Sequence, residues 1–221
     1  MSKTSYDPGI PKRLPFTAWV VAFLVAISLI AGASRLFRGS ERRSYDKSPA
    51  IGTVPEFHFV TQDGKALALQ DLLGKVWVID FIFSRCPGPC PVMSSRLAEI
   101  SKELKKAKDV RLVSLSIDPE HDTPDVLREY AGHFGADPER WIFLTGPKEQ
   151  VQEFTTKGML QALSSDTKDP ANTVHSTRFL VIDRRGKIRV IRKLDEPELV
   201  QKLLIDIGNL LREPDIKPSA P

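Results

Sequence analysis

Two cysteines, Cys86 and Cys90, are the only thiols of this 221-residue chain, and Pro87-Gly88-Pro89 separates them. An apolar run, Val76 to Phe83, leads into this segment, and a pattern typical of an amphipathic helix follows it. A thiol at the turn between a strand and a helix can act as a redox group or as a soft metal ligand. The segment therefore indicates redox chemistry, metal binding, or both.

The residues around the two cysteines favour reactivity over a purely structural role. Pro91 suits the first helical position, so Cys90 is expected at the helix N-cap, where the positive end of the helix dipole favours a thiolate. Arg85 adds a positive charge beside Cys86. A disulfide across so short a loop would restrict the unfolded chain only modestly, and a structural zinc ion usually takes four protein ligands. A redox pair and a metal-binding pair remain as alternatives.

Four histidines could supply a nitrogen ligand, and their positions differ. His58 falls in a predicted strand and His133 on a predicted helix surface, where a structural role is the ordinary interpretation. His121 lies in a strand-to-helix loop, a position at which functional residues are common. His175 ends a long polar loop just before a predicted strand, so it joins His121 as a candidate functional histidine.

Strands and helices alternate along the chain, which predicts an α/β fold with a mixed sheet. The first long strand is continuously apolar apart from Asp80, as is typical of a central strand that is buried on both faces. Strands are predicted over Val76–Phe83, Val110–Ile117, Trp141–Leu144 and the hairpin Arg178–Ile182 with Ile188–Ile191. Helices are predicted after the cysteines, from Thr123, over Lys148–Lys157 and from about Glu196 to Leu211.

The positive charge of the chain belongs to its N-terminal part. Residues 1–50 hold eight Lys/Arg and three Asp/Glu, whereas the remaining 171 residues hold 24 and 25, so the folded part is near neutral. Nucleic-acid binding needs clustered positive charge on the domain itself, and we therefore set that class of function aside.

An uncharged run, Phe16 to Ser34, is close to the roughly 20 residues that a membrane-spanning helix needs. Ala31-Gly32-Ala33 resembles a signal-peptide cleavage site, but the run is long for a signal peptide and favours a retained anchor. Five Lys/Arg in residues 35–47, against three in residues 1–13, do not favour export of the domain by the positive-inside rule. Export therefore has to be argued from the chemistry of the domain.

Several segments together resemble the Sco/SenC family, the thioredoxin-like copper proteins that are associated with cytochrome c oxidase assembly. They are Cys86-Pro-x-x-Cys90-Pro91, Ser116-Ile-Asp-Pro-Glu-His-Asp-Thr-Pro124, Trp141-Ile-Phe-Leu-Thr-Gly146, His175-Ser-Thr-Arg-Phe-Leu-Val-Ile-Asp183 and the apolar run ahead of the domain. The resemblance covers residues 51–211, and the motifs fall in the order that the family has. It implies an α/β thioredoxin-like fold, a mixed central sheet flanked by helices, behind an N-terminal transmembrane helix.

The resemblance also implies a function and a ligand set. The loop that carries His175 would fold back beside the cysteine turn, so that Cys86, Cys90 and His175 bind copper. Two thiolates suit Cu(I), and an added imidazole lets a site hold Cu(II) as well. The chain would then be a membrane-anchored metallochaperone. It would deliver copper to the binuclear copper site of a cytochrome c oxidase subunit, or to another copper protein.

The same resemblance implies a location and an organisation of the chain. The domain would face the periplasm, or the intermembrane space of a mitochondrion, where exposed thiols can cycle with a disulfide and meet a thiol–disulfide reductant. The predicted parts are an N-terminal tail (1–15), a transmembrane anchor (16–38), a linker (39–50), the thioredoxin-like copper-binding domain (51–212) and a C-terminal tail (213–221).

A thiol–disulfide oxidoreductase is the alternative function. One cysteine, nominated as Cys86 from its position at the strand end, would attack the disulfide of a partner, and Cys90 would resolve the mixed disulfide. That role needs no histidine ligand, so His175 is the residue that discriminates between the two functions, and its presence favours copper.

The chain departs from the family pattern at two places. Family members commonly have an acidic residue between the cysteines, where this chain has Pro87-Gly88-Pro89, and often an Asp before the histidine, where it has Val174. Both departures remove negative charge near the expected metal. They bear on partner docking and on the preferred oxidation state of copper, whereas the ligand set itself is retained.

Overall fold

The computed structural model describes residues 23–28, 50–159 and 177–213. The chain divides into two compact units, Met1–Tyr45 and Asp46–Pro221. Residues 23–28 are helical. Within the described part of the chain, no helix combines the length and the apolar character that crossing a membrane requires. Most of the predicted anchor, residues 16–38, lies outside the described residues, as do the predicted N-terminal tail and nearly all of the linker.

A single mixed sheet of eight strands organises the second unit, in the spatial order β1-β8-β7-β4-β5-β6-β2-β3. The strands are β1 Gly52–Thr53, β2 His58–Thr61, β3 Ala66–Ala68, β4 Val76–Ile82, β5 Val110–Ser116, β6 Trp141–Thr145, β7 Arg178–Ile182 and β8 Lys187–Lys193. The central strands β4, β5 and β6 are parallel, and the other pairings are antiparallel. Every residue of β4 is buried, which is the reason for its continuously apolar sequence.

The helices connect and cover these strands. They are α1 Leu69–Leu72, α2 Pro89–Glu103, α3 Pro124–His133, α4 Lys148–Glu153, which continues as a π-helical segment over Phe154–Met159, and α5 Leu199–Leu211. The predicted N-cap of α3 is confirmed, because the Thr123 side chain accepts a hydrogen bond from the Val126 N–H. Helix α5 begins three residues later than predicted, at Leu199, because Glu198 before it has a left-handed backbone with φ of 56°.

Alternation along β4 directs its side chains to two different layers. Trp77, Ile79 and Phe81 belong to one buried cluster, which includes residues of α1, α4 and β2. Since successive side chains of a strand point to opposite faces, Asp80 lies on the other face. There it is electrostatically coupled to Cys90 and to Tyr130 of α3. The cysteine helix α2 therefore covers the face of the sheet that carries Asp80.

Gly146, just after β6, gives a test of the packing on the first face. A Cβ atom there would lie 2.7 Å from Cδ1 of Phe59, whose ring is buried between Phe57 and Phe154. We expect Gly146→Ala to lower the free energy of unfolding by about 1–3 kcal/mol through overpacking. Gly132→Ala, on the exposed side of α3 with nothing within 4 Å, should instead raise it by up to about 1 kcal/mol. Urea unfolding measures both, and equal effects of the two substitutions would contradict the packing.

Candidate metal centre

The cysteine turn connects the end of β4 to the start of α2. The Cys86 N–H donates a hydrogen bond of 3.1 Å to the carbonyl of Phe83, which closes a turn directly after the strand. Helix α2 then begins at Pro89, with Gly88 as its N-cap. The expectation that Cys90 is the N-cap is wrong. Pro89 takes the first helical position, since its missing N–H needs no partner there, and Cys90 lies inside the first turn.

Both cysteines are buried and neither forms a disulfide. The two sulfur groups are close enough to hydrogen-bond with each other. By contrast, the intervening Pro87, Gly88 and Pro89 are exposed. The spacer therefore forms an uncharged cover over a pair of thiols that lie side by side beneath the surface.

The environments of the two thiols push their pKa values apart. Burial raises the pKa of Cys86, but hydrogen bonds from the Cys90 thiol and from the backbone N–H groups of Cys90 and Gly88 outweigh it and hold the pKa below 9.0. For Cys90, burial, the hydrogen bond with Cys86 and the charges of Cys86 and Asp80 raise the pKa to about 12. Cys86 is thus the more readily ionised thiol of the pair, and Cys90 keeps its proton to a much higher pH.

A buried carboxyl group lies near this pair on the same face of the sheet. Asp80 is fully buried, and among the described residues neither of its oxygens has a hydrogen-bond partner of normal geometry. Burial raises the pKa of Asp80 to about 7, although the Ser114 hydroxyl on the adjacent strand offsets part of the effect. Asp80 is therefore about half protonated at neutral pH and largely protonated only below it, so its negative charge beside the two thiols grows as the pH rises through 7.

A second carboxyl group, Asp122, is also fully buried but has many partners. It accepts hydrogen bonds from the Ser84 N–H and from the hydroxyl groups of Ser84 and Ser116, and it pairs with Nδ1 of His121 at 3.0 Å. Burial raises the pKa of Asp122, but these hydrogen bonds outweigh it and leave the pKa below its usual value. Sequence reasoning singled out His121 in this loop and missed Asp122.

The four histidines have different outcomes. His58 on β2 and His133 at the end of α3 are both exposed. His121 is partly exposed and is held by Asp122. His175, together with Val174 before it, lies outside the described residues, so its expected place beside the cysteines stays a prediction.

The donor atoms present suit a soft metal ion. Two adjacent sulfurs, one of them readily ionised, are the ligands that Cu(I) prefers. Among the described residues, the one group of at least three possible ligands is Asp118, His121 and Asp122, and it does not include the sulfurs. That group is already satisfied internally, since Asp118 pairs with Arg85 and the oxygens of Asp122 accept hydrogen bonds. A third ligand for the sulfurs would have to come from outside the described residues.

Comparison with known proteins gives consistent results. The SCO1/SenC family model matches residues 46–212. A SCO1 protein homolog from Bacillus subtilis (strain 168) is 34% identical over 162 residues, which are 72% of this chain and 83% of that relative.

Two solved structures extend the comparison. BsSco is a member of the Sco family of cytochrome c oxidase assembly proteins, and a disulfide switch was identified in it. It aligns with a TM-score of 0.63 and 29% identity, over 76% of this chain and 98% of BsSco. Copper-bound yeast Sco1 aligns with a TM-score of 0.56 and 26% identity, over 72% of this chain and 94% of that protein. The predicted thioredoxin-like α/β fold of the domain is confirmed.

Proposed function

We propose, because this chain belongs to the SCO1/SenC family, that it binds copper and matures the binuclear copper site of a cytochrome c oxidase. Its copper ligands would be Cys86, Cys90 and His175. The observation that carries the proposal is the pair of buried, unlinked thiols in hydrogen-bond contact. The copper carried by yeast Sco1 and the oxidase-assembly role of the family of BsSco support it.

The chemistry of the two thiols suits a carrier that takes up and releases its cargo. Cys86 is the more readily ionised group and offers the first sulfur ligand. Cys90, with its pKa of about 12, gives up a proton only when the metal competes for its sulfur. Binding therefore releases protons, and a partner with its own thiolates can draw the metal away by ligand exchange.

The location follows from the same proposal. Residues 16–38 would anchor the chain in the bacterial inner membrane, or in the mitochondrial inner membrane, and the domain would face the periplasm or the intermembrane space. The uncharged run of Phe16 to Ser34 supports the anchor. Thiols that must be kept reduced to bind copper would also need a thiol–disulfide reductant in such a compartment.

A thiol–disulfide oxidoreductase remains the second candidate function, and one observation favours it. The separation of the pKa values of Cys86 and Cys90 is the arrangement of an attacking and a resolving thiol. In that reaction the Cys86 thiolate would displace one sulfur of a partner disulfide. The Cys90 thiolate would then attack the Cys86 sulfur of the mixed disulfide and displace the second partner sulfur, so that the partner leaves with two thiols and this chain is oxidised to the Cys86–Cys90 disulfide.

A copper titration of the His175→Ala variant tests the proposed ligand set. We expect the reduced full chain, kept free of oxygen, to bind one copper per monomer. We expect the variant to bind it at least about tenfold more weakly, because two sulfur ligands remain and the imidazole is lost. Competition with a Cu(I) chelator of known affinity measures both dissociation constants.

His133→Ala is the matched control for this titration. It makes the same substitution at an exposed histidine of α3 and should leave copper affinity unchanged. Equal affinity of the parent and His175→Ala would remove His175 from the site. Failure of the parent to bind copper, together with rapid disulfide exchange, would favour the oxidoreductase.

A further inference from the structure

The two residues before Cys86 are held from one side by a single loop. The loop that follows β5, residues 117–123, runs beside the end of β4, where the Ile117 N–H donates to the Ile82 carbonyl at 2.9 Å. One Nη of Arg85 lies 2.7 Å from a carboxylate oxygen of Asp118 in the same loop. These contacts place the loop along the segment that leads into the cysteine turn.

Asp122 makes the buried part of this connection. Its side chain has no exposed surface, and it accepts hydrogen bonds from both the N–H and the hydroxyl group of Ser84. The remaining acceptor positions are taken by the Ser116 hydroxyl and by His121. A carboxylate with this many donors is fixed in orientation, so it fixes the backbone of Ser84, which lies two residues before Cys86.

We infer that Asp122 is a positioning residue for the metal centre, which acts through Ser84 to set where the Cys86 sulfur lies relative to Cys90. The inference rests on the proposed function, since it concerns the same pair of sulfurs. Asp122 is not a ligand in it, because its oxygens are already occupied by protein donors. The distance and angle between two sulfurs control both the geometry of a bound metal and the ease of forming a disulfide.

A matched pair of serine variants separates positioning from general stability. Ser84 and Ser116 each donate a hydroxyl hydrogen bond to Asp122, but only Ser84 belongs to the segment that carries Cys86. Ser116 also accepts a hydrogen bond from the Asp118 N–H, so Ser116→Ala disturbs the loop at least as much as Ser84→Ala does. A merely structural role of Asp122 therefore predicts an equal or larger effect of Ser116→Ala on every property of the site.

The experiment measures the dithiol–disulfide equilibrium of the full chain against a glutathione buffer, together with the thiolate-to-Cu(II) charge-transfer absorption after addition of copper. We expect Ser84→Ala to shift the equilibrium constant about tenfold, which is about 30 mV for this two-electron couple, and to move the absorption band. Ser116→Ala should shift the constant less than about twofold and leave the band in place. Ser84→Thr, which keeps the hydroxyl group, should restore the parent values.

The outcomes distinguish this inference from the proposed function. If the parent binds no copper, the proposed function fails, whereas the glutathione equilibrium still tests the positioning role. Equal shifts in Ser84→Ala and Ser116→Ala, or no shift in either, would overturn the role of Asp122. Urea unfolding of each variant establishes that the compared proteins are folded.

Discussion

At pH 8, iodoacetamide should alkylate Cys86 of the reduced protein about 40-fold faster than Cys90. Since only a thiolate reacts, a pKa of about 12 leaves roughly 10⁻⁴ of Cys90 reactive, whereas a pKa below 9.0 leaves at least roughly 10⁻¹ of Cys86 reactive. The ratio of thiolates is thus about 10³. The more basic thiolate is intrinsically the better nucleophile, which reduces the advantage of Cys86 by roughly 25-fold.

Mass spectrometry can assign the modified cysteine. Trypsin leaves both thiols in one peptide that begins at Cys86 and ends at Arg96, so fragmentation of the singly alkylated peptide reads the first site of reaction. In a Cys86→Ala control, Cys90 should remain slow, because burial is the largest cause of its raised pKa and does not depend on Cys86. Equal rates, or faster reaction of Cys90 in the parent, would refute the assigned difference.

The same difference between the thiols links the two candidate functions. A copper carrier and a disulfide exchanger both start from an ionised Cys86, and both need Cys90 to lose a proton later. For copper, that late proton makes affinity fall as the pH falls. The third ligand therefore matters more than the thiols for deciding the function, and His175 stays the discriminating residue.

The sequence predicted the parts of this domain that depend on local patterns. The apolar run of β4 and the helical spacing of Met93, Leu97 and Ile100 are visible in neighbouring residues, and these three side chains are all buried on α2. The start of α2 was predicted two residues late. Two prolines, Pro89 and Pro91, could each take the first helical position, and only the backbone of Gly88 decides between them.

The contacts that shape the site were not predictable in the same way. Ser84 and Asp122 are 38 residues apart and meet because β4 and β5 are adjacent and parallel, so no local pattern reveals their hydrogen bond. One signal was available, since a sequence with His121 and Asp122 at a strand-to-helix junction marks a polar loop at the carboxyl edge of the sheet. Asp80 gave another signal as the single charged residue of β4. Only the folded structure shows that neither of its oxygens has a hydrogen-bond partner of normal geometry among the described residues.

Replacing Asp80 should strongly change how the free energy of unfolding of the domain depends on pH. The carboxyl group has a pKa of about 7 when folded, against an ordinary value of 3.8. Between these values the folded protein keeps a proton that the unfolded chain has lost. The contribution of this proton to the free energy of unfolding is therefore fully present below pH 3.8 and is lost as the pH rises to about 7. The difference between the two pKa values corresponds to about 4 kcal/mol of unfolding free energy.

Asp80→Asn should abolish this loss, because the amide does not titrate. Between pH 4.5 and pH 8, the free energy of unfolding of the parent should fall by about 3 kcal/mol more than that of the variant. The variant should thus be the more stable protein at pH 8, even though a buried amide without partners costs about 1–3 kcal/mol at every pH. Urea unfolding of the reduced protein at the two pH values measures the difference, and all other titrating groups are common to both proteins.

Asp206→Asn is the control that separates a buried carboxyl group that has no hydrogen-bond partner of normal geometry among the described residues from one that is paired. Asp206 on α5 is almost fully buried, but both of its oxygens accept hydrogen bonds from the Arg192 guanidinium, at 2.8 and 3.0 Å. Removing its charge leaves the partly buried Arg192 with Glu196 as its remaining acidic partner, so Asp206→Asn should destabilise the protein at pH 8. If Asp80→Asn raises the free energy of unfolding at pH 8 and Asp206→Asn lowers it, the Asp80 carboxyl group destabilises the folded protein at that pH. Parallel profiles of the free energy of unfolding against pH for the parent and Asp80→Asn would show that Asp80 is ionised in the folded domain. Asp80 would then act on Cys90 with a full negative charge at neutral pH.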